Sequence, residues 1–189
     1  MTPSSAHQYD LVSRIFHWLT ALMVSVAFVL GPGGFGRLMR QGVDPASRID
    51  IVWHESLGVA VLVLTALRIL WVLSRPTPPV FLMARWMQLR QKFVHGTIWF
   101  LLLSVPLTAL VALGSKLRPA TLLGAIRWEQ LSLIAEWPLS KMTDWGDVHS
   151  FLADVLIWLA GLHALAAIYH GVVLKDGLLA AMLPRKGIR

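Results

Sequence analysis

The chain has 189 residues, of which 56% are hydrophobic and 14% are charged, and it contains nine tryptophans and no cysteine. This composition lies outside the range of soluble domains and indicates an integral membrane protein, so the net charge of +7 reflects membrane topology rather than a nucleic-acid partner. The absence of cysteine excludes disulfides, thiolate metal sites, iron–sulfur clusters and covalent c-type haem.

Four apolar runs follow one another along the chain, and each is about as long as a membrane-spanning helix needs to be. They cover residues 11–30, 51–73, 93–113 and 148–174. Glycine and proline mark the ends of the first three, at residues 31–36, at residues 74–79 and near Gly114. The sequence therefore predicts an all-α membrane protein, a single domain over residues 1–189 built as a bundle of four transmembrane helices.

The charged loops predict how the chain is oriented in the membrane. Residues 74–92 and the tail after Leu174 carry many bases and almost no acid, which is typical of cytoplasmic segments. Both termini are therefore predicted to be cytoplasmic. In the long loop on the other side, residues 119–137 have apolar residues at helical spacing and two tryptophans. This pattern suggests a helix lying in the membrane interface, and a surface loop anchored by its aromatic residues is an equal alternative.

Histidines lie at two depths in the predicted bundle. His149 and His163 are fourteen residues apart in the fourth run, so they share one helix face and are separated by about 21 Å along the axis. His54 begins the second run at the depth of His149, and His17 lies in the first run near the depth of His163. The sequence therefore predicts two bis-histidine sites, one in each half of the membrane.

Two imidazoles that face each other across a helix bundle suit a six-coordinate haem iron. Zinc is a weaker alternative because it takes three or four ligands, and only Glu55 accompanies these pairs. For a single histidine, a hydrogen bond between helices is a further alternative. We therefore expect the bundle to hold two haem b groups, with their irons bound by the following side chains: His17, His54, His149 and His163.

Other polar residues in the spans are predicted to surround the haems. Arg68 lies fourteen residues after His54 and one layer lower, where it would pair with a haem propionate unless it extends to the membrane interface. Arg14 is the second propionate candidate. His95 and His170 are predicted to lie beside the ligands or to contact propionates, although His170 is one heptad after His163 and could replace it as the ligand.

At these residues the chain resembles the bacterial cytochrome b561 family, four-span dihaem b proteins of the inner membrane whose members include superoxide oxidase. The resemblance covers nearly the whole chain and rests on these stretches: RIFHW (14–18), WHESLG (53–58), RPTPP (75–79), GLHALAAIYH (161–170) and LKDGLLAAMLPRK (174–186). It implies haem ligation by the same four histidines and electron exchange with ubiquinone. The family commonly has a second histidine where this chain has Gly171.

The function that we expect is transmembrane electron transfer in the bacterial inner membrane. The enzymatic version oxidises periplasmic superoxide to oxygen and reduces ubiquinone. Superoxide is an anion, so basic residues of the outer loop could steer it, or could merely be solvated: Lys116, Arg118 and Arg127. The alternative is a non-enzymatic relay between the quinol pool and a periplasmic redox partner or dehydrogenase subunit.

Overall fold

The computed structural model describes residues 8–31, 33, 35–74, 85–123 and 126–183. Within these residues, four helices are long and apolar enough to cross a membrane. They are α1 (Leu11–Leu30), α3 (Ile49–Ser74), α4 (Arg85–Ser115) and α5 (Trp145–Tyr169), and α5 continues as a π-helical turn over His170–Leu174. A short helix, α2 (Phe35–Arg40), lies between α1 and α3. The prediction of a membrane-embedded four-helix bundle is confirmed.

The bounds of the spans follow the apolar runs with one large difference. Helix α1 has the predicted bounds, and α3 begins two residues earlier and ends one residue later than its run. Helix α4 begins at Arg85 instead of residue 93, because glutamine, arginine and lysine are good helix formers that extend the helix beyond its apolar part. The proline-rich segment predicted to end the second span lies largely outside the described residues.

Aspartates fix the starts of two of the spans. The Asp10 carboxylate accepts from the backbone N–H of Ser13 at 2.9 Å, and the Asp144 carboxylate accepts from that of Gly146 at 2.9 Å. These contacts satisfy N–H groups that have no partner within the helix. The Lys116 ammonium also donates to both carboxylate oxygens of Asp144, at 3.0 and 3.1 Å. Asp144 therefore explains why α5 begins three residues before its apolar run.

Residues 119–137 do not form the predicted interfacial helix. Strands β1 (Ala120–Leu122) and β2 (Ile126–Trp128) pair antiparallel, and 3-10 turns follow over Glu129–Glu136 and Pro138–Lys141. The backbone N–H of Thr121 donates to Glu55 Oε2 at 2.6 Å, and that of Leu123 donates to Ser56 Oγ at 2.8 Å. Because side chains of α3 take the N–H groups of Thr121 and Leu123, strand β1 binds to α3 in extended form, and helical turns begin only at Glu129.

The bundle has two ends, which we name by what lies there. The hairpin end carries β1 and β2. At the opposite end, the chain after α5 lies against the start of α1, where Arg14 donates to the Leu183 carbonyl at 2.7 Å and the Trp18 indole donates to that of Met182 at 2.8 Å. Between the ends lies a cluster of apolar side chains from three helices: Val61, Leu101, Leu102 and Leu156.

Large apolar side chains cover much of the outside of the helices. Phe100, Phe151 and Trp158 are each about two-thirds or more exposed, at 64%, 67% and 74%. In water such a surface would be costly, whereas lipid tails accept it. The exposed side chains are therefore the lipid-facing surface of the bundle.

The cap of α5 generates a stability prediction. Replacing Asp144 with alanine should lower the free energy of unfolding by about 1 kcal/mol, because an N-cap contact is lost. Asp144→Ser is the matched control, since serine restores the cap and removes only the exposed ion pair with Lys116, which contributes little. The measurement is chemical unfolding in mixed micelles followed by circular dichroism.

The effect of Asp144→Ala on the free energy of unfolding should depend on pH, which gives a second readout. The hydrogen bond from Lys116, with that from the Gly146 N–H, holds the pKa of Asp144 below its usual value. A carboxyl with a lowered pKa in the folded state stabilises at neutral pH, and this contribution is lost as the pH falls through the lowered pKa. The unfolding free energies of the wild-type chain and of Asp144→Ala should therefore converge in acid. A difference that does not change with pH would show that the carboxylate charge is not the cause.

Candidate functional site

The first histidine pair lies at the hairpin end. His54 of α3 and His149 of α5 have ring centroids 6.0 Å apart, with the two rings nearly perpendicular. The Nδ1 of His54 lies 2.7 Å from the carbonyl oxygen of Ala27, and the Nδ1 of His149 lies 2.9 Å from that of Val105. A carbonyl oxygen only accepts, so each Nδ1 carries the proton and each Nε2 keeps a lone pair for a metal ion.

The end of α1 explains why Ala27 has a free acceptor. The carbonyl of Ala27 would accept from residue 31 if the helix continued, but the backbone N–H of Gly31 donates to Phe28 instead, at 3.1 Å. Carbonyls in the last turn of a helix lack partners within the helix, and inside a membrane no water replaces them. The His54 ring satisfies the carbonyl of Ala27, and the carbonyl in turn fixes the His54 tautomer.

The second pair lies toward the opposite end. His17 of α1 and His163 of α5 have ring centroids 6.4 Å apart. His95 of α4 is also close to His163, with centroids 5.2 Å apart. Two metal–nitrogen bonds of about 2 Å each, plus about 1 Å from each nitrogen to its ring centre, give about 6 Å. The separations of His17 and His54 from their partners match this sum, whereas that of His95 is shorter.

His170 lies in a different environment from the other histidines of α5. It begins the π-helical turn, and its Nδ1 forms a close contact with the carboxylate of Asp176. Among the described residues, the ring contact of His170 is with Tyr169, whereas His163 has ring contacts with His17 and His95. The structure therefore brings His163, and not His170, to the histidine cluster at this end of the bundle.

Two arginines are candidates to bind a haem propionate near the second pair, Arg14 and Arg68. The Arg14 Nε is buried and has no hydrogen-bond partner among the described residues, although another nitrogen of Arg14 donates to Leu183. The guanidinium of Arg68 lies 4.8 Å from the ring centroid of Trp99. A buried donor without a partner is costly, and a carboxylate is the acceptor that a guanidinium binds best. Arg14, one turn before His17, therefore fits a haem propionate.

The donor set fits haem better than zinc. Among the described residues, no group of three or more His, Cys, Asp and Glu side chains could hold a metal ion. Zinc needs at least three such ligands, whereas a haem iron with four porphyrin nitrogens needs only two from the protein. Gly58, one turn after His54, has no atom within 4 Å of the place where a Cβ would lie, which leaves space beside the first pair.

The three bases proposed to steer an anion all lie at the hairpin end. Lys116 is paired with Asp144, and the Nε of Arg127 donates to Glu129 at 3.2 Å. The guanidinium of Arg118 lies 6.0 Å from the ring centroid of Phe35. Two of the bases thus have their charge compensated by a neighbouring carboxylate.

Comparison with known proteins identifies the family. The family model described as prokaryotic cytochrome b561 matches residues 8–185. The chain belongs to the prokaryotic cytochrome b561 family. It is 30% identical over 188 residues to the probable superoxide oxidase CybB of Yersinia pestis, covering 95% of this chain and 97% of that protein. Family membership makes it a membrane protein of electron transfer and implies haem b as its cofactor.

Two further relatives carry cytochrome names. Cytochrome b561 homolog 2 of Escherichia coli (strain K12) is 23% identical over 181 residues, which cover 95% of this chain and 93% of that protein. Cytochrome b562 of Cereibacter sphaeroides is 29% identical over 187 residues, which cover 93% of this chain and 94% of that protein. All three relatives therefore match this cytochrome b561 chain over nearly its full length.

Some functional contacts were missed by the sequence analysis. The carbonyls of Ala27 and Val105, which orient the histidines of the first pair, carry no side-chain signal. The break after Leu30 was visible, however, and it could have shown that the last carbonyls of α1 need hydrogen-bond donors from elsewhere in the chain. The contacts of Glu55 and Ser56 with the hairpin join distant parts of the chain, and no local pattern predicts them.

The two pairs generate a prediction about ligation. His54→Ala and His149→Ala should each lose the same haem, and His17→Ala and His163→Ala should each lose the other, because each pair would bind one iron. Pyridine haemochrome analysis counts the haems per chain, and redox titration shows which component is lost. We expect two haems in the wild-type chain and one in each variant.

His95→Ala and His170→Ala are the matched controls, and both should keep two haems. The proposed pairing would be wrong if His95→Ala lost the haem assigned to His17 and His163 while His17→Ala kept that haem. A wild-type chain with one haem would contradict the prediction altogether.

Proposed function

We propose that this cytochrome b561 is a dihaem b oxidoreductase that oxidises periplasmic superoxide to oxygen and reduces ubiquinone. The observation that supports it best is the presence of a histidine pair toward each end of one bundle, with an apolar layer between the pairs. The irons would be held by His54 with His149 and by His17 with His163. When bound, haem supplies one-electron chemistry.

The protein residues would restrict what that chemistry can be. Hydrogen bonds from Nδ1 to backbone carbonyls leave Nε2 of His54 and His149 unprotonated, as an iron ligand must be. Two histidines would supply both of the ligands that a haem iron takes from the protein, so no position would be open for binding oxygen or superoxide. Electrons would then enter and leave without substrate coordination, so the protein controls only access, charge and potential.

The proposed reaction balances as two one-electron steps for each quinone. Two superoxide anions give up one electron each and become two oxygen molecules. One ubiquinone takes up the two electrons and two protons and becomes ubiquinol. The relative named probable superoxide oxidase, at 30% identity, supports superoxide as the donor.

The orientation that we propose places the hairpin end in the periplasm and both termini in the cytoplasm of the bacterial inner membrane. Bases at the opposite end support it, since α4 begins there with Arg85, Arg90 and Lys92. An incoming anion would then meet Arg118, for which no ion pair with a carboxylate is found among the described residues. Lys116 and Arg127 would add less because their carboxylate partners offset their charge.

The test is anaerobic reduction of the purified protein by superoxide and by ubiquinol as competing donors. Superoxide should reduce both haems and release oxygen, and added ubiquinone should then reoxidise them. Superoxide dismutase must abolish the reduction. Arg118→Gln should slow reduction by superoxide and weaken its dependence on ionic strength, because a steering charge is lost.

Reduction by ubiquinol alone, together with oxidation by a periplasmic redox partner, would replace this proposal by the non-enzymatic relay. Arg40→Gln is the control for the change in net charge, because Arg40 is an exposed residue of α2 at the same end of the bundle. Superoxide should reduce Arg40→Gln at the same rate as the wild-type protein.

Arg68 generates a prediction about potential. Arg68→Met should lower the potential of the haem held by His17 and His163, since a nearby positive charge favours the added electron. At an effective dielectric constant of about 20, a unit charge at about 8 Å contributes about 2 kcal/mol. A one-electron couple changes by about 59 mV for each tenfold change in its equilibrium constant, so the fall should reach at most about 90 mV. Redox titration of both components measures it.

Arg90→Met is the matched control, because Arg90 also lies 4.8 Å from a tryptophan ring, that of Trp86, but is exposed. It should leave both potentials unchanged. An unchanged potential in an Arg68→Met protein that retains two haems would mean that Arg68 has no propionate partner.

A further inference from the structure

A cavity of about 160 Å³ lies at the hairpin end, outside the histidine pairs. Its lining comes from the start of α2, the end of α4 and both strands of the hairpin, through Phe35, Leu113, Thr121 and Arg127. An engineered protein cavity of about 150 Å³ holds a benzene molecule. The cavity is therefore large enough for a compact organic molecule, and much larger than a diatomic anion requires.

The walls of the cavity are largely apolar. Phe35, Pro45 and Leu113 contribute carbon surface, and Leu113 belongs to the buried cluster beneath the hairpin. A hydrated inorganic ion would have to give up water against these walls without gaining partners on that side. An apolar body gains free energy by leaving water for the same surface.

Two guanidinium groups give the cavity a positive charge. Arg118 and Arg127 both line it. The Nε of Arg127 donates to Glu129, and this single bond leaves the other nitrogens of the guanidinium for a second acceptor. Among the described residues, no carboxylate forms an ion pair with Arg118, whose guanidinium lies 6.0 Å from the Phe35 ring centroid. Within the part of the chain that the structure describes, an ion pair with a carboxylate is thus found for Arg127 and not for Arg118.

We propose that this cavity is a binding site for a small organic carboxylate with a planar apolar body of about the size of a benzene ring. Its carboxylate would bind the guanidinium groups of Arg118 and Arg127, which match carboxylate geometry with paired N–H donors. Its apolar body would lie against Phe35, Pro45 and Leu113. The site does not depend on superoxide as the electron donor.

The hairpin gives this site a fixed position relative to the first histidine pair. Thr121 lines the cavity, and its backbone N–H donates to Glu55 at 2.6 Å. Glu55 is the neighbour of His54 in α3. A bound carboxylate would therefore lie on an element that is anchored beside the His54–His149 pair, on the same side of the membrane.

The test uses the full-length holoprotein in its oxidised form, with no electron donor present. Isothermal titration with benzoate should show one site per chain, and benzamide, which has the same shape and no charge, should bind at least about tenfold more weakly. Arg118→Gln and Arg127→Gln should each weaken benzoate binding by about tenfold, the effect expected when a charge-assisted hydrogen bond is lost. Arg40→Gln should bind benzoate as the wild type does.

Each contrary result identifies what is wrong. Equal binding of benzoate and benzamide would overturn the charged part of the proposal, and displacement of benzoate by equimolar chloride or phosphate would overturn the organic part. Unchanged benzoate binding in the double variant Arg118→Gln/Arg127→Gln would place the site elsewhere. The haem absorption spectrum shows whether each variant is folded, and Arg118→Lys, which keeps the charge, should bind more tightly than Arg118→Gln. Failure of these binding tests would not contradict the proposed oxidation of superoxide, which is tested by a separate measurement.

Discussion

An imidazole ring inside a lipid-embedded bundle has two nitrogens to satisfy, and in the first histidine pair the backbone satisfies one of them. In His54 and His149, Nδ1 donates to a backbone carbonyl of a neighbouring helix, which leaves Nε2 unprotonated. The carbonyl of Ala27 is free because α1 ends there at Gly31. The place where one helix ends thus determines the tautomer of a histidine on the next. The helix break at Gly31 therefore favours the tautomer in which Nε2 of His54 is free to bind a metal ion.

On α3 and α5, apolar cluster residues lie seven positions from the histidines. Along α5, Leu156 lies seven residues after His149 and seven before His163, and along α3, Val61 lies seven residues after His54. Leu156 and Val61 belong to the same apolar cluster. Seven residues are about two helical turns, or about 10 Å, so each histidine layer is separated from this cluster by a similar distance. The apolar layer keeps the two polar sites apart and supplies the packing that holds the helices together.

Much of this arrangement could be predicted because it depends on periods and depths that a single helix fixes. The pairing of His17 with His163 required only the span boundaries and the 3.6-residue repeat. The hairpin could not be predicted, because its apolar residues occur at helical spacing and the acceptors that hold it open, Glu55 and Ser56, are more than sixty residues away. The early start of α4 at Arg85 was missed for a related reason, since hydropathy marks the lipid-embedded part of a helix and not its whole length.

The contacts between α3 and the hairpin link His54 to the surface that we propose to be periplasmic. Thr121 is only 2% exposed, so its backbone N–H relies on Glu55 as its acceptor, and an unsatisfied buried donor costs about 1–3 kcal/mol. Ser56, one residue further along α3, accepts from Leu123 and itself donates to the Val52 carbonyl at 2.6 Å. A shift of the hairpin would therefore break contacts on the same helical turn that carries His54. The hairpin and the turn of α3 that carries His54 are therefore joined directly by the hydrogen bonds from Thr121 and Leu123.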